Sequence, residues 1–160
     1  MNGVRKTLRR RRQEAKTDYK ARLALLKSQK PRLVLRKTNR YIIAQLVVSE
    51  IAQDKVIASV ISKDLISKGW PESLSGSLKS KAAAYLTGLM LGNKVKAKYK
   101  EAILDSGMHR NVKKSRIYAA VKGFIDSGIK LPCSEDVLPS KEDLANEKTD
   151  KILAKMEKLI

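Results

Sequence analysis

The chain predicts an α/β fold, a mixed sheet covered by helices, and three observations lead there. Residues 32–62 hold three closely spaced segments rich in Val, Ile and Leu, which is strand composition. Two later segments, 78–99 and 115–127, repeat apolar residues at helical spacing. A short strand pattern lies between them, and the order β-β-β-α-β-α places helices over a mixed sheet. The 160 residues suit one domain. With 42% apolar residues but one Trp and one Phe, the core must be aliphatic.

Each element follows from local pattern. Residues 1–12 are polar, highly charged and open with Asn2-Gly3, so they are expected to be disordered in the free chain. Ala15, Tyr19, Leu23 and Leu26 then form one apolar stripe, with Arg12, Lys16, Lys20, Arg22 and Lys27 over the remaining surface. This predicts a helix ending near Ser28-Gln29, before Pro31. Residues 32–37 are a first strand, Thr38-Asn39-Arg40 a turn, and 41–48 a second strand. On the second, Ile42, Ala44, Leu46 and Val48 make a wholly apolar face; Tyr41, Ile43, Gln45 and Val47 make the other. Residues 49–54 are expected as a loop and 55–62 as a third strand. Such short connections imply an antiparallel meander.

Residues 65–76 contain Gly69, Pro71 and Gly76 and predict irregular structure. The helix over 78–99 carries Ala82, Leu86, Leu89 and Met90 on its stripe. Gly88 and Gly92, four apart, each cost up to about 1 kcal/mol in a helix interior; the compensation expected is close packing on the sheet. Residues 101–105 are a fourth strand and 109–114 a basic loop. Ser115 caps a helix through Ser127, with Tyr118, Val121 and Ile125 on one face and Gly128 as its stop. After Pro132 and Pro139, Ser140 caps a last helix with Ile152, Met156 and Leu159 on its apolar side. The organisation is an arm and helix over 1–30, a binding core over 31–132, and an acidic linker and helix over 133–160.

Charge is the functional signal. Residues 1–40 carry fifteen Lys or Arg against Glu14 and Asp18, a net +13 of the chain's +19. Residues 41–130 are net +8 and 131–160 net −2. Four arginines, Arg9, Arg10, Arg11 and Arg12, run without a break, with Arg5 and Lys6 just ahead. Like charges at that density oppose compaction, whereas a polyanion takes up the charge and releases counterions. One charge run alone is commonly a solvated face. Here the run is arginine, whose guanidinium forks onto phosphate. It continues onto a helix, and returns at Arg36, Lys37 and Arg40, then at Arg110, Lys113, Lys114 and Arg116. No helix-turn-helix, zinc finger or basic zipper is visible. Folded RNA therefore suits the pattern, met by arginine, Asn39 and Tyr41; the alternative is a DNA-architectural protein.

Catalysis is not expected. His109 lacks an obvious titratable partner, and Arg110, Lys113 and Lys114 should depress its protonation, leaving a loop or phosphate-contact role. Predicted strands 32–37, 41–48 and 55–62 contain no carboxylate, and Asp105 alone cannot hold two metals. The single cysteine, Cys133, excludes an internal disulfide and a multi-cysteine zinc site. No cofactor and no metal are expected. No apolar stretch approaches the ~20 residues of a membrane span, and the N-terminus lacks a signal-peptide apolar run. The expectation is a soluble, intracellular, cytoplasmic protein.

Three runs carry a family resemblance: Arg9-Arg-Arg-Arg-Gln-Glu-Ala-Lys-Thr-Asp-Tyr19, Arg22-Leu-Ala-Leu-Leu-Lys-Ser28 and Lys30-Pro-Arg-Leu-Val-Leu-Arg-Lys-Thr-Asn-Arg40. So do Ser80-Lys-Ala-Ala-Ala-Tyr-Leu-Thr-Gly88, Glu101-Ala-Ile-Leu-Asp-Ser-Gly107 and Ser115-Arg-Ile-Tyr-Ala-Ala-Val-Lys-Gly123. Over roughly residues 5–140 the chain resembles the large-subunit ribosomal proteins that bind 5S ribosomal RNA, of the archaeal and eukaryotic type. The resemblance implies a three-layer α/β/α fold like that of ribonuclease H, without its catalytic carboxylates. It implies docking of 5S rRNA onto the large-subunit rRNA, beside neighbouring large-subunit proteins including a second 5S-binding protein. It also implies RNA contacts at Arg9, Arg10, Arg11, Arg12, Lys16, Tyr19, Lys30 and Arg32, and at the hairpin Arg36, Lys37, Thr38, Asn39 and Arg40.

Overall fold

A computed structural model of the chain describes residues 7–51, 53–144 and 149–159. Strand β1 (Arg32–Lys37) pairs antiparallel with β2 (Ile42–Glu50), and β2 with β3 (Gln53–Ile61). Strand β4 (Ile103–Asp105) joins β1 in parallel, giving the order β3-β2-β1-β4. A parallel neighbour requires a crossover, and helix α3 (Lys81–Val95) lies within it. The mixed α/β fold expected from the sequence is present.

Alternation along the strands decides the layers. Leu33, Leu35, Ile42, Ala44, Leu46 and Val60 are buried in the aliphatic core. That core lies under α3, which packs on β2 and β3, and α4 (Arg116–Asp126), which packs on β1. Arg32, Val34 and Arg36 take the opposite face of β1. On that side helix α2 (Tyr19–Lys27) is tied to the sheet by Arg22, whose guanidinium donates to Asp54 at 2.8 Å. No residue of α2 is buried.

Several elements differ from expectation. In place of disorder through residue 12 and a single helix from there to Ser28-Gln29 there are two helices, α1 (Arg10–Gln13) and α2. Ala15 sits at φ 51°, which ends the first. The Asp18 carboxylate accepts the N–H groups of Lys20 and Ala21 and starts the second. The stripe is not core: Leu23 is 55% exposed. The loop expected over 49–54 is mostly strand, because Ser49 pairs with Asp54 and Glu50 with Gln53. The register passes from Leu46↔Ala58 to Val47↔Val56, so Ile57 is skipped in a bulge. Val47 is buried and Val48 only partly so; Val47 lies opposite Arg32 and shares its face of the sheet.

Helix α3 begins where the Ser80 hydroxyl accepts the Ala83 N–H at 3.2 Å. It is buried nearly all round, not along a stripe, because sheet and α4 enclose it. The glycine patch does mark close packing, but on α4. A Cβ at Gly88 would collide with the Ala120 carbonyl, and one at Gly123 of α4 with the Tyr85 carbonyl. Residues 62–77, expected to be irregular in part, form two 3₁₀ segments, Ser62–Lys68 and Glu72–Ser77. Between them Trp70 is buried, its indole N–H donating to the Leu74 carbonyl. The tail is described in two pieces, α5 (Lys141–Leu144) and α6 (Asp150–Leu159), and Leu144 and Met156 join the core. Among the described residues no helix is long and apolar enough to cross a membrane.

Candidate nucleic-acid interface

Arg5 and Lys6 lie outside the described residues. Arg9, Arg10, Arg11 and Arg12 are exposed, three of them on the short α1. The arm folds back on α2, so that the Arg9 guanidinium stands 4.8 Å from the centroid of the Tyr19 ring. Arg11 donates to the Thr17 hydroxyl at 2.8 Å, and Lys16 pairs with Glu14 at 2.8 Å. Arg10 stands 3.9 Å from Glu14. Exposed pairs of this kind are worth little, so the cations stay available to a stronger anion.

Strand β1 carries cations of two kinds. Arg32 is 2% exposed. It donates to Asp105 at 2.9 Å, to Asp54 at 2.6 Å and to the Ser49 hydroxyl at 3.1 Å. Its terminal nitrogens are thus turned into the protein. Arg36 lies nearer the surface, donating to the Asp105 carboxylate at 2.9 Å and its carbonyl at 2.8 Å. Burial would raise the Asp54 pKa, but hydrogen bonds from Ser49, Arg22 and Arg32 outweigh it and hold the carboxyl down at about 2. Lys30 is exposed and pairs with Glu101 at 2.9 Å.

The carboxylate-free strands expected from the sequence need correction. Glu50 ends β2 and Asp54 is the second residue of β3. Asp54 and Asp105 converge, but on the guanidinium of Arg32. Arg22, Arg32 and Arg36 together already offset their charge. Among the described residues no three His, Cys, Asp or Glu gather as a metal site.

The β1–β2 turn is pinned by Thr38. Its hydroxyl donates to the Tyr41 carbonyl at 2.8 Å and accepts the Tyr41 N–H at 2.9 Å. Asn39 and Arg40 stand exposed at the tip. The Lys37 N–H donates to Nε2 of His109 at 3.0 Å, so the neutral ring carries its proton on Nδ1. The His109 pKa is lowered, by burial first and then by Arg36 and Lys37. Depression was the expectation; the cations responsible come from the strand, not from the loop's own Arg110, Lys113 and Lys114.

Those three loop cations separate. Lys114 pairs with Asp143 of α5 at 2.9 Å, and the bond it donates holds that carboxyl well below the usual range. Lys113 is exposed. Arg110 lines an open cleft of about 360 Å³ with Lys37, Lys81 and Arg116. Sequence reasoning missed Lys81, which opens α3. Its one signal is its place directly after the Ser80 cap.

Residues 5–102 match the family model described as ribosomal large subunit proteins 60S L5, and 50S L18. A protein of Korarchaeum cryptofilum is 48% identical over 149 residues, covering 92% of this chain and 74% of its own length. One of Methanoculleus marisnigri is 46% identical over 136 residues, covering 84% and 75%. One of Methanothrix thermoacetophila is 43% identical over 139 residues, covering 86% and 80%. All three relatives carry the name large ribosomal subunit protein uL18.

Proposed function

This chain belongs to the family of ribosomal large subunit proteins 60S L5 and 50S L18, and from that premise we propose that it binds 5S rRNA and docks it onto the large-subunit rRNA. The family is ribosomal and structural, not enzymatic. Its members work in the large subunit, where rRNA and other ribosomal proteins are the partners. The finer assignment to 5S rRNA, beside a second 5S-binding protein, rests on the motifs of residues 9–40 and on the placement of charge.

One observation carries it. Arg9, Arg11, Arg12, Lys37, Arg40, Arg110 and Lys113 are exposed, and none is in an ion pair among the described residues. A folded core that leaves its arm, hairpin tip and basic loop unneutralised is set to exchange protein–water contacts for phosphate contacts. In this reading the arm follows phosphates, with Lys16 and Lys30 beside it. Tyr19 offers a ring to an unstacked base once Arg9 turns to phosphate. Thr38, Asn39 and Arg40 enter the RNA as a pinned tip, and Arg36 and Lys114 hold elements in place beside it. Arg32 acts through the sheet, positioning β1 and β4 from within.

Replacing Arg9, Arg10, Arg11 and Arg12 together by alanine tests the reading by filter binding across a salt series. Weaker 5S rRNA binding and a flatter salt dependence are expected. Wild-type protein should also prefer 5S rRNA to duplex DNA of equal charge; equal binding would favour the DNA-architectural alternative.

A further inference from the structure

We infer that the cleft where α3 and α4 begin seats one backbone phosphate of the bound RNA, an assignment that rests on the RNA-binding reading above. The two helices run in the same direction. Gly88 faces Ala120, and four residues on Gly92 faces Phe124 and Ser127. Their N-termini therefore lie at one end of the molecule, where the positive ends of both helix dipoles add. Lys81 comes from the first turn of α3, Arg116 from that of α4, Arg110 from the preceding loop and Lys37 from the end of β1. No carboxylate lines the cleft, and none of these four cations is in an ion pair among the described residues. Gathering them opposes folding through mutual repulsion. An anion removes that cost.

The Ser115 hydroxyl is the independent observation. It occupies the cap position of α4 in an extended conformation, yet makes no capping bond. Its Oγ is buried and has no hydrogen-bond partner. Ser80, in the same position on α3, does accept an N–H. A buried hydroxyl without a partner is costly, and the first-turn N–H groups of α4 lack the acceptor that a cap supplies. A phosphate oxygen accepts from both at once. Lys37 places the cleft next to the exposed turn at 38–40, so one RNA strand can pass from the hairpin tip onto the helix ends. Hydrogen bonding of His109 to the Lys37 N–H joins hairpin and loop as one wall.

The test is the variant Lys81→Gln/Arg116→Gln, with Arg116→Gln alone as the milder form, assayed by filter binding between about 50 and 200 mM salt. The slope of log affinity against log salt is expected to fall by about one on 5S rRNA and on an unrelated RNA of equal length. Circular dichroism should show no loss of Tm, since neither side chain is ion-paired and removing the charges relieves their repulsion. An unchanged slope in both variants overturns the seat, whatever the preference for 5S rRNA. Loss of that preference with the slope still reduced retains the seat and removes the 5S reading. In a second arm, inorganic phosphate is titrated against the Arg116 and Ile117 amide resonances. Shifts there without any change in RNA slope would assign the cleft to free phosphate and overturn its role in RNA binding.

Discussion

Arg32 and Arg36 share a face of one strand and meet opposite fates. Arg32 opens β1 and reaches both Asp105 of β4 and Asp54 of β3, whereas Arg36 lies near the strand's other end with its side chain 39% exposed. Removing one partner of a buried pair costs about 3–5 kcal/mol, because the other charge is left unpaired. Arg32→Ala should therefore lower the urea midpoint sharply while leaving the salt slope of RNA binding as it was. A reduced slope with intact stability would instead make Arg32 a phosphate contact. Asp54 adds an acid dependence. Its folded pKa is depressed from 3.8 to about 2, so the unfolded chain binds more protons in that window. The associated stability is present above 3.8 and is lost as pH falls through about 2. Asp54→Asn should flatten the urea midpoint against pH across that range.

Interlocked backbones join α3 to α4. At Gly88 and Gly123 an added methyl meets a main-chain carbonyl, which cannot move aside without shifting a helix. Gly88→Ala and Gly123→Ala should each cost about 1–3 kcal/mol as overpacking, seen as a lower Tm. At Gly92 an added methyl meets the Ser127 hydroxyl, which is bonded to the Phe124 carbonyl, and the Ser127 Cβ, which rotation does not move, so Gly92→Ala should lower the Tm as well. The spacing of Gly88 and Gly92 marks a close approach in the sequence, but a helix pattern does not say whether sheet or helix approaches. The tie between hairpin and loop is sensitive to pH. His109 has a depressed pKa and accepts a hydrogen bond, so protonation removes the acceptor. Its contribution is present above the ordinary value of 6.5 and is lost as pH falls below it. Hydrogen exchange at the Lys37 amide, corrected for the intrinsic rate, should lose protection on going from about pH 7.5 to about pH 5.5.

For the whole molecule the charge map matters more than any one contact. A net charge of +19 on an aliphatic core makes a protein whose affinity for RNA is governed by counterion release. If six to ten phosphates are neutralised, affinity should fall by roughly 10³–10⁵ between about 50 and 200 mM salt. A slope close to zero in a salt titration would remove the electrostatic basis of the proposed interface.

Patterns a few residues long already determine the strands, the helix over α4, the aliphatic core and the concentration of positive charge at the start of the chain. They do so because periodicity and charge are counted locally. The tertiary structure decides which cations remain free to meet RNA. Arg32 reads like its neighbours until β4 and β3 bring Asp105 and Asp54 to it, and Lys81 looks ordinary until α3 and α4 align at Ser115. A strand's alternation names the face a side chain takes, but the charge waiting there comes from residues distant in the chain.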